Sequence, residues 1–229
     1  NTTSGEMYIC TDATAGENVW KNVGEGSDGI SPFHFTNSQL YGFVPGGYPG
    51  TGSNVASIDK VTYASDGNAT DQGDLTWPRR GMSHSSSTTH GYSAGGYAMS
   101  PSPVGQSNYI DKFAMASPAS ATDVGDLSVV GETHASCTSE THGHAVGGGA
   151  GLRRCDRYSF ASDGNASDIG NLSQVKTIVS CGVTSSSHGY AAGGKVNPSS
   201  SSITDIDKYS HSSDGNASDI GDLTLSRYA

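Results

Sequence analysis

Apolar positions in this chain come in short runs, each broken by glycine, serine, aspartate or asparagine before it is long enough to make a helix. The stretch around Ile110, Phe113 and Met115 places apolar groups on both parities of an extended strand, the pattern of a sheet covered on both faces. Before it lies a glycine-rich segment, and before that a Ser/Thr-rich one, Met82 to Thr88. After the corresponding stretch in other parts of the chain come Asp66-Gly67-Asn68, Asp163-Gly164-Asn165 and Asp214-Gly215-Asn216, where Asp-Gly and Gly-Asn favour tight hairpin turns. The pattern therefore predicts four short strands per unit: Ser/Thr-rich, glycine-rich, aromatic, and a last one ending in Gly-Asp-Leu.

The unit recurs. His90-Gly91-Tyr92-Ser93-Ala94-Gly95-Gly96 is matched by segments beginning at His142 and His188, and in diverged form by Tyr41-Gly42-Phe43-Val44-Pro45-Gly46-Gly47. From Gly42 to Gly91, Gly143 and Gly189 the steps are 49, 52 and 46 residues, the period of a β-propeller blade. Ile58-Asp59-Lys60, Ile110-Asp111-Lys112, Cys155-Asp156-Arg157 and Ile206-Asp207-Lys208 follow in turn, and each unit closes on Leu75, Leu127, Leu172 or Leu223. The expected fold is all-β and propeller-like: four repeats of about 50 residues over 30–229 as four-stranded blades, preceded over 1–29 by a β-hairpin with Trp20 in its second strand. Leu223 to Ala229 aligns with Leu75 to Gly81, which leads into a Ser/Thr strand, so a truncated array is expected in preference to a closed four-blade ring. In such a ring the glycine-rich strand is the expected inner one.

Composition narrows the function. With 33% hydrophobic and 15% charged residues the chain is neither a charged disordered tail nor, with no apolar run near the roughly 20 residues needed, a helical membrane protein. A net charge of -10 disfavours nucleic acid as a partner. Cys10, Cys137, Cys155 and Cys181 form no CxxC pair, and Cys155, standing where Ile110 and Ile206 stand, reads as a buried apolar thiol.

The order of double glycine, aromatic strand, then Leu with a basic residue four positions later (Leu75 to Arg79, Leu223 to Arg227) is similar to the kelch repeat, although the usual Trp between the aromatic and the Leu is missing. The wording Gly-Tyr-x-Ala-Gly-Gly, Ile-Asp-Lys-aromatic and Ser-Asp-Gly-Asn-Ala-Ser/Thr-Asp-x-Gly-Asp-Leu resembles repeat-bearing virion proteins of tailed phages, notably of marine bacteria. That resemblance implies a tail fibre or spike on the virion surface, homo-oligomeric, in contact with other virion proteins and with a host-surface glycan or protein. It also leaves two alternatives: an assembly scaffold that meets no receptor, and a secreted adhesin or glycan-processing propeller.

Candidate chemistry is sparse. Catalysis needs unlike groups converging on one substrate, whereas the polar residues here repeat, so no enzyme, no catalytic residue and no cofactor is expected. His90, His142 and His188 occupy equivalent positions and read as structural rather than metal-ligating. Asp66, Asn68 and Asp71 have calcium-like spacing, but turns built on Asx side chains explain them better. The repeated Asp-Lys or Asp-Arg dipeptide reads as a polar ladder between blades. Receptor contacts are expected in the variable loops after each double glycine, carried by Tyr48, Tyr97, Tyr109 and Arg153.

Overall fold

A computed structural model describes residues 8–12, 19–22, 40–50, 52–99, 104–151, 153–179, 181–196, 199 and 201–228. The chain forms two compact units, Asn1–His34 and Phe35–Ala229. In the first, strands Tyr8–Asp12 and Val19–Asn22 pair antiparallel, with Cys10 opposite Trp20.

The second unit is all-β, its one described helical element being a 3-10 turn at Gly149–Gly151. Four antiparallel sheets follow one another along the chain. Sheet three shows the plan: Ala135–Thr138, His142–Val146, Arg154–Ser159 and Ser167–Asn171 pair in sequence order as a meander. Sheet two (Ser83–Ser86, His90–Ala94, Gly105–Ala114, Thr122–Gly131) and sheet four (Cys181–Thr184, His188–Val196, Ser202–Ser210, Ser218–Asp222) repeat it. Sheet one has three described strands, Tyr41–Gly47, Val55–Thr62 and Thr70–Asp74. Sheets two, three and four thus use the strands expected from the sequence, in the expected order, while the first strand expected of sheet one lies outside the described residues.

The cores lie between sheets. Ile58, Leu75, Met82, Phe113 and Ala121 fill the joint between sheets one and two; Tyr92, Ala94, Ile110, Leu127, Ala145 and Tyr158 fill the next. A third cluster, including Cys137, Val146, Cys155, Leu172 and Tyr209, fills the joint between sheets three and four. Both faces of a middle sheet are therefore covered, which is why its third strand is apolar on both parities. Cys155 is fully buried there, and burial pushes its thiol pKa well up.

The motif glycines make these joints possible. The side chains of Phe113, Tyr158 and Tyr209 fold over Gly91, Gly143 and Gly189, their cross-strand partners, at positions a β-carbon would occupy. Met82, His134 and Val179 sit against the double glycines of the two sheets they join, for example Met82 against Gly46 and Gly96. The Ser/Thr strands, rather than the glycine-rich ones, stand side by side from sheet to sheet. His84 N donates to Ser136 Oγ at 2.8 Å, and Thr184 Oγ1 to the Thr138 carbonyl at 2.8 Å. The short hydroxyl side chains reach backbone that a bulkier residue would hold off.

At the other edge, the Asp-Gly-Asn turns of sheets three and four dock on the preceding sheet. Asn165 Oδ1 accepts from Asp126 N and Asn216 Oδ1 from Asn171 N, both at 3.0 Å; Ser120 plays this part toward Asp74 N. Gly125 and Gly170 lie against the turn glycines Gly164 and Gly215 with φ of +155° and +148°. A Gly170→Ala substitution combines an unfavourable φ with a collision against the Gly215 carbonyl, and is expected to cost about 2–3 kcal/mol in urea unfolding. Gly221, at the same position of sheet four with φ +147°, has open space there. Gly221→Ala should therefore cost only the strain, roughly 1 kcal/mol.

Candidate functional site

Sheets two, three and four are each tied to the linker that enters them through the Asp of the third strand. Thr76 N and Oγ1 donate to the Asp111 carboxylate at 3.0 and 2.6 Å, and Ser128 N and Oγ to Asp156 at 2.9 and 2.6 Å. Ser173 N reaches Asp207 at 3.3 Å. A cation four residues past the Leu completes two of these clasps: Arg79 meets Asp111 at 2.6 Å and Lys176 meets Asp207 at 2.9 Å, all four side chains fully buried. In the middle clasp Gly131 stands in the cation's place. Burial accordingly pushes the Asp156 carboxyl pKa above its ordinary range, against the pull of the Ser128 hydrogen bonds.

The basic neighbour of each Asp points elsewhere. Lys112 reaches Asp163 at 2.7 Å and Arg157 reaches Asp214 at 3.1 Å, each in the turn of the following sheet. The Asp-Lys/Arg dipeptide thus bonds to its own linker through one residue and to the next sheet through the other.

Those turns are the calcium-like segments. Asp71 Oδ1 accepts from Gly73 N at 2.9 Å, an Asx turn repeated at Asp123, Asp168 and Asp219. Asp66 and Asn68 are exposed, and their counterparts Asp163, Asp214, Asn165 and Asn216 are engaged by protein groups as above. Among the described residues no three His, Cys, Asp or Glu side chains are grouped to hold a metal ion. His90, His142 and His188 each pair Nδ1 with the hydroxyl of the preceding residue, Thr89, Thr141 or Ser187, at 2.8 Å, within a turn closed by Ser87, Ser139 or Ser185.

The four proposed receptor contacts separate. Tyr48 and Tyr97, the residues directly after the double glycines of sheets one and two, flank the Arg80 guanidinium, whose carbon lies 5.3 and 5.0 Å from their ring centroids. Arg80 is held on the linker by pairing of Arg79–Arg80 with Tyr97–Ala98, and Arg80 Nη1 also contacts Met99 Sδ at 3.1 Å. Asn54 Nδ2 fixes the loop by donating to the Tyr97 carbonyl at 2.7 Å. Tyr48 remains half exposed. Tyr109 does not join them: its carbonyl accepts from buried Arg79 at 3.1 Å, with its ring 5.8 Å from that guanidinium. Arg153, exposed, donates to the Leu172 carbonyl at 3.0 Å between sheets three and four.

Arg80 is not among the receptor contacts expected from the sequence, since its counterparts Glu132 and Thr177 are unlike it. One signal did exist. At the equivalent place beyond sheet four, Tyr228 takes the Arg80 position and Lys195 the Tyr48 position, and Lys195 Nζ lies 4.9 Å from the Tyr228 ring. The cation and the aromatic have changed places while the contact persists.

Neither protein-family models nor curated proteins match this chain.

Proposed function

We propose that the four sheets are blades of a kelch-like propeller belonging to a phage tail fibre or spike, and that the chain is a recognition module of the virion surface rather than an enzyme. The observation that carries the recognition reading is the Tyr48–Arg80–Tyr97 stack. An aromatic face beside a guanidinium offers a sugar ring a flat apolar surface and offers a carboxylate two parallel N–H donors. Flanked by two rings, the guanidinium is already oriented, so little side-chain freedom is lost when a ligand arrives. It stands on linker and loop residues outside the inter-sheet cores, where sequence varies without disturbing the frame. A host-surface glycan carrying acidic sugars is the partner this chemistry suits, and its contacts with other virion proteins would be made elsewhere.

Binding of the purified chain to an array of neutral and carboxylated glycans tests this. Arg80→Ala is expected to weaken retention on carboxylated glycans about tenfold or more, equivalent to about 1.4 kcal/mol. Tyr48→Ala should weaken neutral and acidic glycans alike, and Arg153→Ala should change neither. Retention by Arg80→Ala equal to that of the unaltered chain would remove the assignment.

A further inference from the structure

Three joints within this chain are built by the same register positions, and the two outermost sheets each carry one half of that joint, with exposed positions among the described residues where the inner sheets have buried ones. On sheet four, Ile220 is 52% exposed, whereas its counterparts Ile169 and Gln72 are 3% and 1% exposed beneath the next sheet. Val183 is 53% exposed where Cys137 is 2% and Ser85 9%. Thr224 stands at the position from which Thr76, Ser128 and Ser173 hold the Asp of the following sheet. The open space at Gly221 is where Gly125 and Gly170 receive a turn glycine.

Sheet one carries the complementary half. Asp59 is exposed, although Asp111, Asp156 and Asp207 at its position are 0%, 4% and 0% exposed in their clasps. The Asp66-Gly67-Asn68 turn stands at the position from which its later copies bond to the preceding sheet. Because Asp59 and Ile220 are exposed in the same molecule, the chain's own two end sheets do not meet.

We propose that the outer face of sheet four docks onto the outer face of sheet one of a second copy of this chain, repeating the internal joint between molecules. Register fixes the pairs. Thr224 takes Asp59 as Thr76 takes Asp111; Lys208 takes Asp66 as Lys112 takes Asp163; and Asn68 Oδ1 accepts from Asp222 N as Asn165 accepts from Asp126 N. Ile220 and Val183 are covered as Ile169 and Cys137 are. Such a contact is head-to-tail, so it propagates into a row or closes into a ring of copies according to the rotation at each joint.

A disulfide test separates the possible arrangements. In a background with Cys10 and Cys181 changed to Ser, the single variants Asp59→Cys and Thr224→Cys are purified separately, then mixed and mildly oxidised. A disulfide-linked pair in the mixture, absent from either variant alone, is the expected result. No mixed pair, or a double variant that forms only an internal disulfide, overturns the proposal, the second outcome because it means that one chain closes on itself. Sedimentation velocity supplies an independent check with groups that are not buried. Lys208→Glu is expected to abolish concentration-dependent association, and mixing it with Asp66→Lys to restore it. An unaltered chain that sediments as a monomer at every concentration also overturns the proposal.

Discussion

Asp111→Ala is expected to destabilise the protein by about 3–5 kcal/mol, because it strands the Arg79 guanidinium in a site with no exposure to water. The remaining acceptors, the carbonyls of Gly95 and Tyr109, engage only Nη1, at 2.8 and 3.1 Å, and supply no counter-charge. Thr76 loses its carboxylate partner as well. Asp156→Ala is the informative comparison. Its clasp contains Ser128 but no buried Arg or Lys, so the loss is that of hydrogen bonds to a carboxylate, about 1.5–3 kcal/mol. Urea unfolding of both variants measures the difference. Equal losses would mean that the buried cation contributes nothing to the penalty. Replacing both partners together, as Arg79→Met with Asp111→Leu, should recover much of the loss, since no charge is then left behind.

Acid is expected to loosen the joint between sheets three and four. Between sheets two and three, Tyr92 stacks on Phe160 with ring centroids 4.8 Å apart. At the same positions one joint later stand His144 and His211, stacked at 4.9 Å, with Tyr209 tilted against His144 at 5.4 Å. His144 is fully buried, and both its ring nitrogens lack a hydrogen-bond partner. Burial, then the proximity of His211, His142 and Arg157, holds its pKa down at about 3; burial, then His188 and His142, holds His211 at about 4. Both pKa values lie below the unfolded value near 6.5. Their contribution is therefore complete above pH 6.5 and is withdrawn as pH falls toward 4 and below, by an amount on the order of several kcal/mol for the pair. Asp156 works in the opposite sense. With its folded pKa raised, its contribution is greatest below the unfolded carboxyl pKa and declines as pH rises through the folded one. Urea midpoints at pH 7 and pH 4 should differ strongly in the unaltered protein and much less in a His144→Tyr, His211→Phe double variant, which borrows the aromatic pair of the preceding joint. A double variant as acid-labile as the parent would locate the sensitivity elsewhere.

Turn chemistry and repetition made the strands legible. Asp-Gly-Asn, double glycine and Gly-Asp-Leu mark strand ends through local backbone preferences, which a sequence displays directly. What joins one sheet to another was harder to read. Asp111 is 32 residues from Arg79 and 35 from Thr76, and nothing local announces that the three meet. The dipeptide Asp111-Lys112 suggested a ladder between units; the side chains in fact diverge, as the alternation of a strand requires. Tyr48 and Tyr97 stand out in the sequence because they follow the double glycine, whereas Arg80 lies in a register in which its counterparts differ, and nothing local places it between them. Tyr109 lies in the same variable stretch, yet on the strand that carries the buried clasp, which the sequence does not display. The histidine pair was half visible, since His144 plainly stands in a tyrosine position, while its partner His211 could be found only by aligning it with Phe160.

The middle clasp shows what gene duplication can discard. Where Gly131 replaces the cation, Ser128 still secures Asp156 by its amide and its hydroxyl, and sheet three retains the same strand order and register as its neighbours. The carboxylate is thus the invariant half of the device and the positive charge the disposable one. A newly copied unit needs only an Asp on its third strand and a Ser or Thr after its Leu to enter the row, with Arg or Lys acquired later. Arrays assembled under so permissive a rule can gain or lose whole units in a single genetic step, and their length becomes as open to variation as the loops that cap them.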